Sequence, residues 1–274
     1  MTIAGRINYE PAGVGRLLRE WRERRRLTQL DLALRAEISA RHLSFVETGR
    51  SRPTSDMILR LARHLEVPLR ERNLLLLSGG YAPAYPANEL SDPPMSAVHD
   101  AIERVLAAHE PFPAVVIDGQ WEMIAANTAV AELTEGCAPG LLEPPVNVLR
   151  LTLHPEGMAP RVVNLPEWRA HLLDRLGRDI AASADPALIV LRDELTSYPC
   201  PPAAARPDTR SILVPLRMRV RGHILSFLST TTVFGTPRDV TLAELAIESF
   251  YPADAGTAAF LKSGDRAHTE TRGG

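Results

Sequence analysis

Cysteine is nearly absent: Cys137 and Cys200 are the two in 274 residues. They share no metal-ligand spacing with each other or with the eight histidines, and a disulfide between them would be unusual in a cytosolic protein. Long hydrophobic runs are missing too. Stretches such as Leu74–Leu77 and Ala114–Ile117 fall far short of the ~20 residues that span a bilayer. The opening MTIAGRINYE lacks the basic-then-apolar pattern of a secretory signal, so a cytoplasmic protein with no membrane partner is expected. Catalytic signatures are absent as well: there is no HExxH, GxSxG, P-loop or GxGxxG. Neither an enzyme nor a cofactor is expected.

What is present starts with size and charge. At 274 residues, 45% apolar and 23% charged, the chain can bury substantial cores and suggests two domains. The formal charge of −2 hides an asymmetry. Residues 1–85 hold 15 Arg, no Lys and 9 Asp+Glu, a balance of +6, which leaves −8 for residues 86–274. A basic third beside an acidic remainder points to one part that meets a polyanion and one that does not.

In the basic third, Val14, Leu17, Leu18, Trp21 and Arg25 follow a helical period, with Arg24, Arg25 and Arg26 in the last turn. Thr28-Gln29-Leu30-Asp31 reads as an N-cap with an acidic residue three places on, opening a second helix whose inward side is Leu30, Ala33 and Leu34. Ser39 is a natural cap for a third helix that turns Leu43 and Val46 inward and Ala40, Arg41, Ser44 and Phe45 outward. Gly49 ends it. Pro53-Thr54 begins a fourth helix with the stripe Ile58, Leu61, Ala62, Leu65, and Pro68 a fifth that stops at Gly79-Gly80.

Two short helices joined by a tight turn, the second presenting polar groups, are the parts of a helix-turn-helix. Residues 12–80 resemble the DNA-binding domain of XRE-type, phage-repressor-like regulators, through Gln29, Ala33, Ile38, Leu43 and Val46 followed by Glu47-x-Gly49-x-x-x-Pro53. One position departs: Glu37 stands where the family usually has Gly in the turn. The resemblance implies double-stranded DNA as partner, with the third helix in the major groove. There Arg41 is placed to bond guanine, Ser44 either base type, Phe45 a thymine methyl, and His42 a phosphate or base edge. Ser39 and Ala40 sit at the entering end. Gln29 and the start of the second helix are expected to hold a phosphate, with Thr48, Arg50 and Arg52 gripping backbone on the other side. Glu47 is expected to pair inward with Arg22. The bland alternatives are that Phe45 serves the core, that His42 is a surface histidine, and that Arg24–Arg26 are a solvated face. Because one recognition helix reads few base pairs, a homodimer on a palindromic operator is expected.

YAPAYPANELSDPP, residues 81–94, reads as a proline-rich linker. Met95–Leu106 is a helix candidate. PAVVIDGQWEMIAAN follows as strand, Asp-Gly turn and strand, with Trp121, Met123 and Ala125 alternating and Asn127 free to cap a helix running to Leu133. Trp168, Leu172, Leu176 and Ile180 line one helix, and Leu188, Leu191 and Leu195 another. Ile212, Val214, Leu216, Met218 and Val220 then alternate with arginines, Pro215 marking an edge or bulge. Arg221-Gly222-His223 turns into a β-rich run, and VTLAELAIESFY (240–251) suggests a final strand. The fold expected is thus an all-α five-helix domain (1–80), a linker (81–94), an α+β PAS-like domain (95–261) with an antiparallel sheet and helices on one face, and a disordered tail (262–274).

The phrases VNLPEWRAHLLDRL, VFGTPRDVTLAEL and ESFYPAD resemble the MmyB-like ligand-binding domain found behind XRE-type domains. That resemblance implies a regulator whose second domain holds a small hydrophobic, fatty-acid-like ligand. Trp121, Asn127, Trp168 and Phe227 are candidates to line the pocket, with an arginine or His223 to meet a carboxylate. Each also has a structural reading: Trp168 as core, Asn127 as a helix cap, His223 as surface. Cys200-Pro201 resembles the Cys-Pro element of haem-regulated proteins, but two residues establish no cofactor. The rival readings are an antitoxin-like protein whose second domain binds a partner protein, and an enzyme fused to a DNA-binding domain.

Overall fold

The computed structural model describes residues 13–202 and 213–270 of the chain, and side chains as far as 263 and not beyond. Ile212 lies outside the described residues. The chain divides into two compact units, the first holding the described residues up to Pro86 together with Ala181–Ser183, the second Ala87–Ile180 and the described residues from Ala184 on.

The first unit has five helices, α1 (Val14–Arg24), α2 (Gln29–Arg35), α3 (Ala40–Glu47), α4 (Ser55–His64) and α5 (Leu69–Ser78). Side chains cap three of them. Thr28 and Asp31 form a reciprocal capping box at α2, Ser39 accepts from the His42 N–H at α3, and Thr54 accepts from Met57 at α4. The core joins Leu18, Trp21, Leu43, Val46, Ile58, Leu61, Ala62 and Leu65, all nearly solvent-free. Gly15 lets α1 approach α3 closely, since a Cβ there would lie 2.1 Å from the Val46 carbonyl oxygen.

The inward face of α2 differs from expectation. Leu30 and Leu34 are exposed, while Leu32, Ala33 and Ala36 are buried. With leucine at 30, 32 and 34, a seven-residue helix carries apolar groups on both sides, so periodicity alone does not select the inward one. The expected linker also differs. Asn73 Oδ1 accepts the N–H groups of Ala84 and Tyr85, and Tyr81 donates to the Pro53 carbonyl, so residues 81–85 are tied to the first unit. Asn88 bonds Asp239 twice, within the second unit.

The second unit opens with α6 (Ser96–His109), then β1 (Ala114–Ile117), β2 (Met123–Ala126), α7 (Val130–Thr134), α8 (Val148–Leu153), α9 (Leu165–Ser183) and α10 (Pro186–Ser197). β3 (Leu216–Val220), β4 (His223–Val233), α11 (Val240–Glu244), β5 (Ala246–Pro252) and α12 (Ala255–Glu270) complete it. The five strands form one antiparallel sheet in the order β2-β1-β5-β4-β3, the α+β class expected. Pro215 stands just before β3, whose alternation of buried apolar residues with exposed arginines suits an edge strand. Arg221 and Gly222 both adopt positive φ in the β3–β4 turn, 44° and 83°.

Helices cover both faces of the sheet, not one. Val115 and Ile117 face the larger core with Leu149, Trp168, Leu172 and Leu188. Ala114 and Val116 face a smaller core with Ile102 and Leu106 of α6 and Leu245 and Ile247. A four-residue strand covered on both sides is buried throughout. Three further expectations are corrected. Asn127 does not cap α7: its side chain accepts the Ala114 N–H and donates to the Phe112 carbonyl, satisfying backbone at the start of β1. VTLAE forms α11 and not strand, because Asp239 caps it through the Leu242 N–H. Of the tail expected over 262–274, residues 262–270 continue α12, a helix anchored upstream by buried Thr257 and Leu261, and residues 271–274 lie outside the described residues.

Candidate functional site

Two surfaces gather the residues singled out in the sequence. The first is the outer side of α3. Ala36 ends α2, Glu37 turns the chain at φ 54°, and Ile38 N–H reaches back to the Ala33 carbonyl at 3.0 Å. Glu37 therefore occupies the left-handed geometry that usually favours Gly, a strain of roughly 1 kcal/mol. Beyond the turn, Arg41 is exposed and Ala40, His42, Ser44 and Phe45 are half-buried on one side of α3. The Arg41 guanidinium lies 5.4 Å over the Phe45 ring, which holds the long side chain in place.

Beneath this surface, Glu47 accepts two hydrogen bonds from Arg22, at 2.7 and 2.9 Å, and one from the Gln29 amide at 2.8 Å. The Glu47 side chain is 1% exposed and that of Arg22 9%. Arg22 is thus structural, fixing α1 to α3, and Gln29 spends one amide proton on the same carboxylate. The start of α2 carries the Asp31 carboxylate, which accepts from Thr28 backbone and hydroxyl, so a phosphate arriving there meets a negative group beside the helix amides. Ser39 is occupied as the α3 cap. Thr48 donates to the Ser44 carbonyl, and Arg52 donates to the Gly79 carbonyl while stacking over Tyr81. Arg50 is exposed next to them. Arg25 donates to the Leu65 carbonyl and stacks on Trp21, which makes it a structural tie and not a solvated charge.

The second site is a cavity between the sheet and the helices α7 to α9. Its interior leaves about 80 Å³ open to the centre of a water-sized sphere, within about 740 Å³ of space between atoms that includes open solvent at the mouth. Val115, Met123, Leu133, Leu149, Leu172 and Phe250 are among its apolar wall residues. Of the five expected lining residues, Trp121 and Trp168 are in place. Three are not. Asn127 is spent on β1, Phe227 is wholly buried in the core against Phe250, and His223 is exposed at the β4 start beside Phe260. Trp121 lies in the turn before β2 at φ 64°, a conformation costly for a bulky residue and found at functional sites.

The polar end of the cavity is built by α9 and β5. Arg175 forms a bidentate pair with Glu248 and lies 4.5 Å over the Trp121 ring. Burial opposes the charge on Arg175, but the hydrogen bond and charge of Glu248 with the charge of Asp179 together outweigh it and raise its pKa. Trp121 Nε1 donates to Asp179 at 3.1 Å, and burial raises the Asp179 carboxyl above its ordinary range. His171 stacks on Trp168 with ring centroids 5.2 Å apart. Burial, then the nearby Arg175 and Arg178 cations, lower its pKa and so favour the uncharged imidazole. His171, Arg175 and Glu248 were not singled out in the sequence. Trp168, His171, Leu172 and Arg175 recur at three or four residues along one helix, the signal that leads to them once Trp168 is placed.

Residues 98–263 match the family model described as MmyB-like transcription regulator ligand binding domain, more than half of the chain. The chain belongs to the MmyB-like regulator family. Residues 18–72 match a helix-turn-helix model as well, so a DNA-binding unit precedes the MmyB-like ligand-binding domain. No curated protein matches the chain. Both families are transcription-regulator domains, and Trp121 and Trp168 both line the pocket in the MmyB-like domain. Among the described residues no helix is long and apolar enough to cross a membrane, and no group of three His, Cys, Asp or Glu is arranged to hold a metal. Cys137 is a buried free thiol, pushed up in pKa by that burial, and Cys200 is half-buried.

Proposed function

We propose that this cytoplasmic regulator binds a palindromic operator as a homodimer through α3 and senses a small hydrophobic molecule in its second unit. Arg41, with Ser44 and Phe45, reads base edges, and Arg50 supplies a phosphate contact. The fatty-acid-like part of the ligand is an apolar chain lying along Met123, Leu133, Leu149 and Leu172. The carrying observation is the apolar cavity of the second unit, whose wall is hydrophobic apart from a few convergent polar groups, the ordinary makeup of a ligand site. Ligand and DNA are coupled only if the ligand binds two conformations with different affinity.

Mass spectrometry of gently purified protein, first native and then denatured, tests the sensor. A released lipid-like compound supports the reading. A dimer with an empty pocket would favour a second unit that binds a partner protein instead.

A further inference from the structure

The arginines of the first unit are unevenly committed. Arg22 is spent on Glu47, Arg25 on the Leu65 carbonyl and Arg52 on the Gly79 carbonyl. Arg41 differs. It is exposed, and among the described residues it makes no hydrogen bond or ion pair. Its outward neighbours on α3 are Ala40, Ser44, Phe45 and Thr48, none of them acidic, while Glu47 is buried. The guanidinium still has a fixed neighbour, its carbon lying 5.4 Å over the Phe45 ring, one helical turn on. Such stacking orders a long side chain and leaves its N–H donors, which lie in the guanidinium plane, unspent. Phe45 is half-buried and offers an apolar face with neither donor nor acceptor.

We propose that Arg41 and Phe45 read a two-base step as a unit: a guanine and, next to it, a pyrimidine carrying a C5-methyl group, thymine or 5-methylcytosine alike. This rests on the reading of α3 as the recognition helix and narrows it. In the major groove a guanidinium bonds guanine O6 and N7 edge-on, and so lies in the plane of that base pair. A ring stacked on its face then falls outside that plane. Bases advance about 3.4 Å along each strand, so a separation of 5.4 Å brings the ring level with the adjoining pair and not with the guanine. Of the groups a pyrimidine shows in that groove, the C5-methyl is the one a phenyl ring can bury. Cytosine and uracil lack it. A ring without donor or acceptor does not tell the two methylated pyrimidines apart, so methylating a cytosine at this step strengthens the site.

Duplexes selected by the full-length protein from a random pool supply the test site, the guanine being the one whose preference Arg41→Ala abolishes. Anisotropy then compares the selected duplex with versions in which the adjoining thymine becomes deoxyuridine, cytosine paired with guanine, or 5-methylcytosine paired with guanine. Deoxyuridine, which removes the methyl group alone, is expected to weaken binding about fourfold, and 5-methylcytosine to bind about fourfold more tightly than cytosine. Phe45→Ala should abolish both differences and keep the preference for guanine. Deoxyuridine binding as tightly as thymine would overturn the proposal and leave α3 as the DNA reader, as would a selected site with no thymine beside that guanine or one that Arg41→Ala selects unchanged. If no sequence is enriched, the reading of α3 falls and the proposal with it. The deoxyuridine comparison on the wild-type protein decides the matter even if Phe45→Ala fails to fold.

Discussion

At the scale of single residues, the contrast between Arg22 and Arg41 shows how the same side chain serves two purposes. Arg22 is buried against Glu47 with paired hydrogen bonds, whereas Arg41 stands on the outer side of α3. Glu47→Ala strands the guanidinium of Arg22 in the core and removes the Gln29 contact. We expect a loss of about 3–5 kcal/mol in the stability of the first unit, measured by denaturant unfolding. Arg41→Ala should leave folding untouched, cost about 1–3 kcal/mol of specific DNA binding and relax one operator position, read by anisotropy on a selected site and its single-base variants. Unchanged affinity would remove Arg41 from the interface. Sequence legibility divides along the same line. Arg22, Glu47 and the outward set on α3 were legible through the resemblance to XRE-type domains, which implies the inward pair and the exposed face together. Asn127, Phe227 and His223 could not be sorted by spacing. Whether a side chain on a strand lines a cavity, fills a core or faces water depends on what packs over the sheet, which only the fold supplies.

At the scale of elements, caps set the boundaries. The Thr28 box, Ser39 and Thr54 were legible because Ser or Thr ahead of a helical period has a local physical effect. Asp239 was not, since the residues after it have strand-like composition, and its cap on α11 overrides that tendency. Burial works against its charge, but the N–H groups of Asn88 and Leu242 outweigh burial and hold its pKa below the ordinary value. A carboxylate whose pKa is lowered by folding contributes stability above its unfolded pKa of about 3.9, and that contribution is lost as pH falls through the folded value. Asp239→Asn keeps an acceptor without the charge. Its stability should therefore fall less than that of the wild type between pH 6 and pH 3, followed by equilibrium unfolding of both proteins at each pH. Equal losses would show that Asp239 is not part of the acid response. The α2 face is the converse case: leucines on both sides leave a seven-residue helix unsorted until α3 and α4 are in place.

At the scale of the whole molecule, the division of charge is the feature most open to measurement. A unit carrying +6 over residues 1–85 should bind DNA with a steep loss of affinity in salt, the logarithm of the binding constant falling linearly with that of salt concentration. Arg50→Ala should lower that slope by about 1 and weaken all sequences alike, and a slope unchanged by the substitution would mean that Arg50 meets no phosphate. The sheet of the second unit carries a different kind of information. Its outer strands each bear an isolated bridge, Glu122 to Asn147 beside β2 and Val162 to Met218 on β3, and Met123 N–H and Arg217 carbonyl are already bonded to Val146 and Val163. A neighbouring copy thus finds these rims partly occupied. Joining sheet to sheet would mean peeling away the protein's own loops, which guards a concentrated solution against fibre growth and leaves helix faces and side chains as the surfaces through which the proposed homodimer would form.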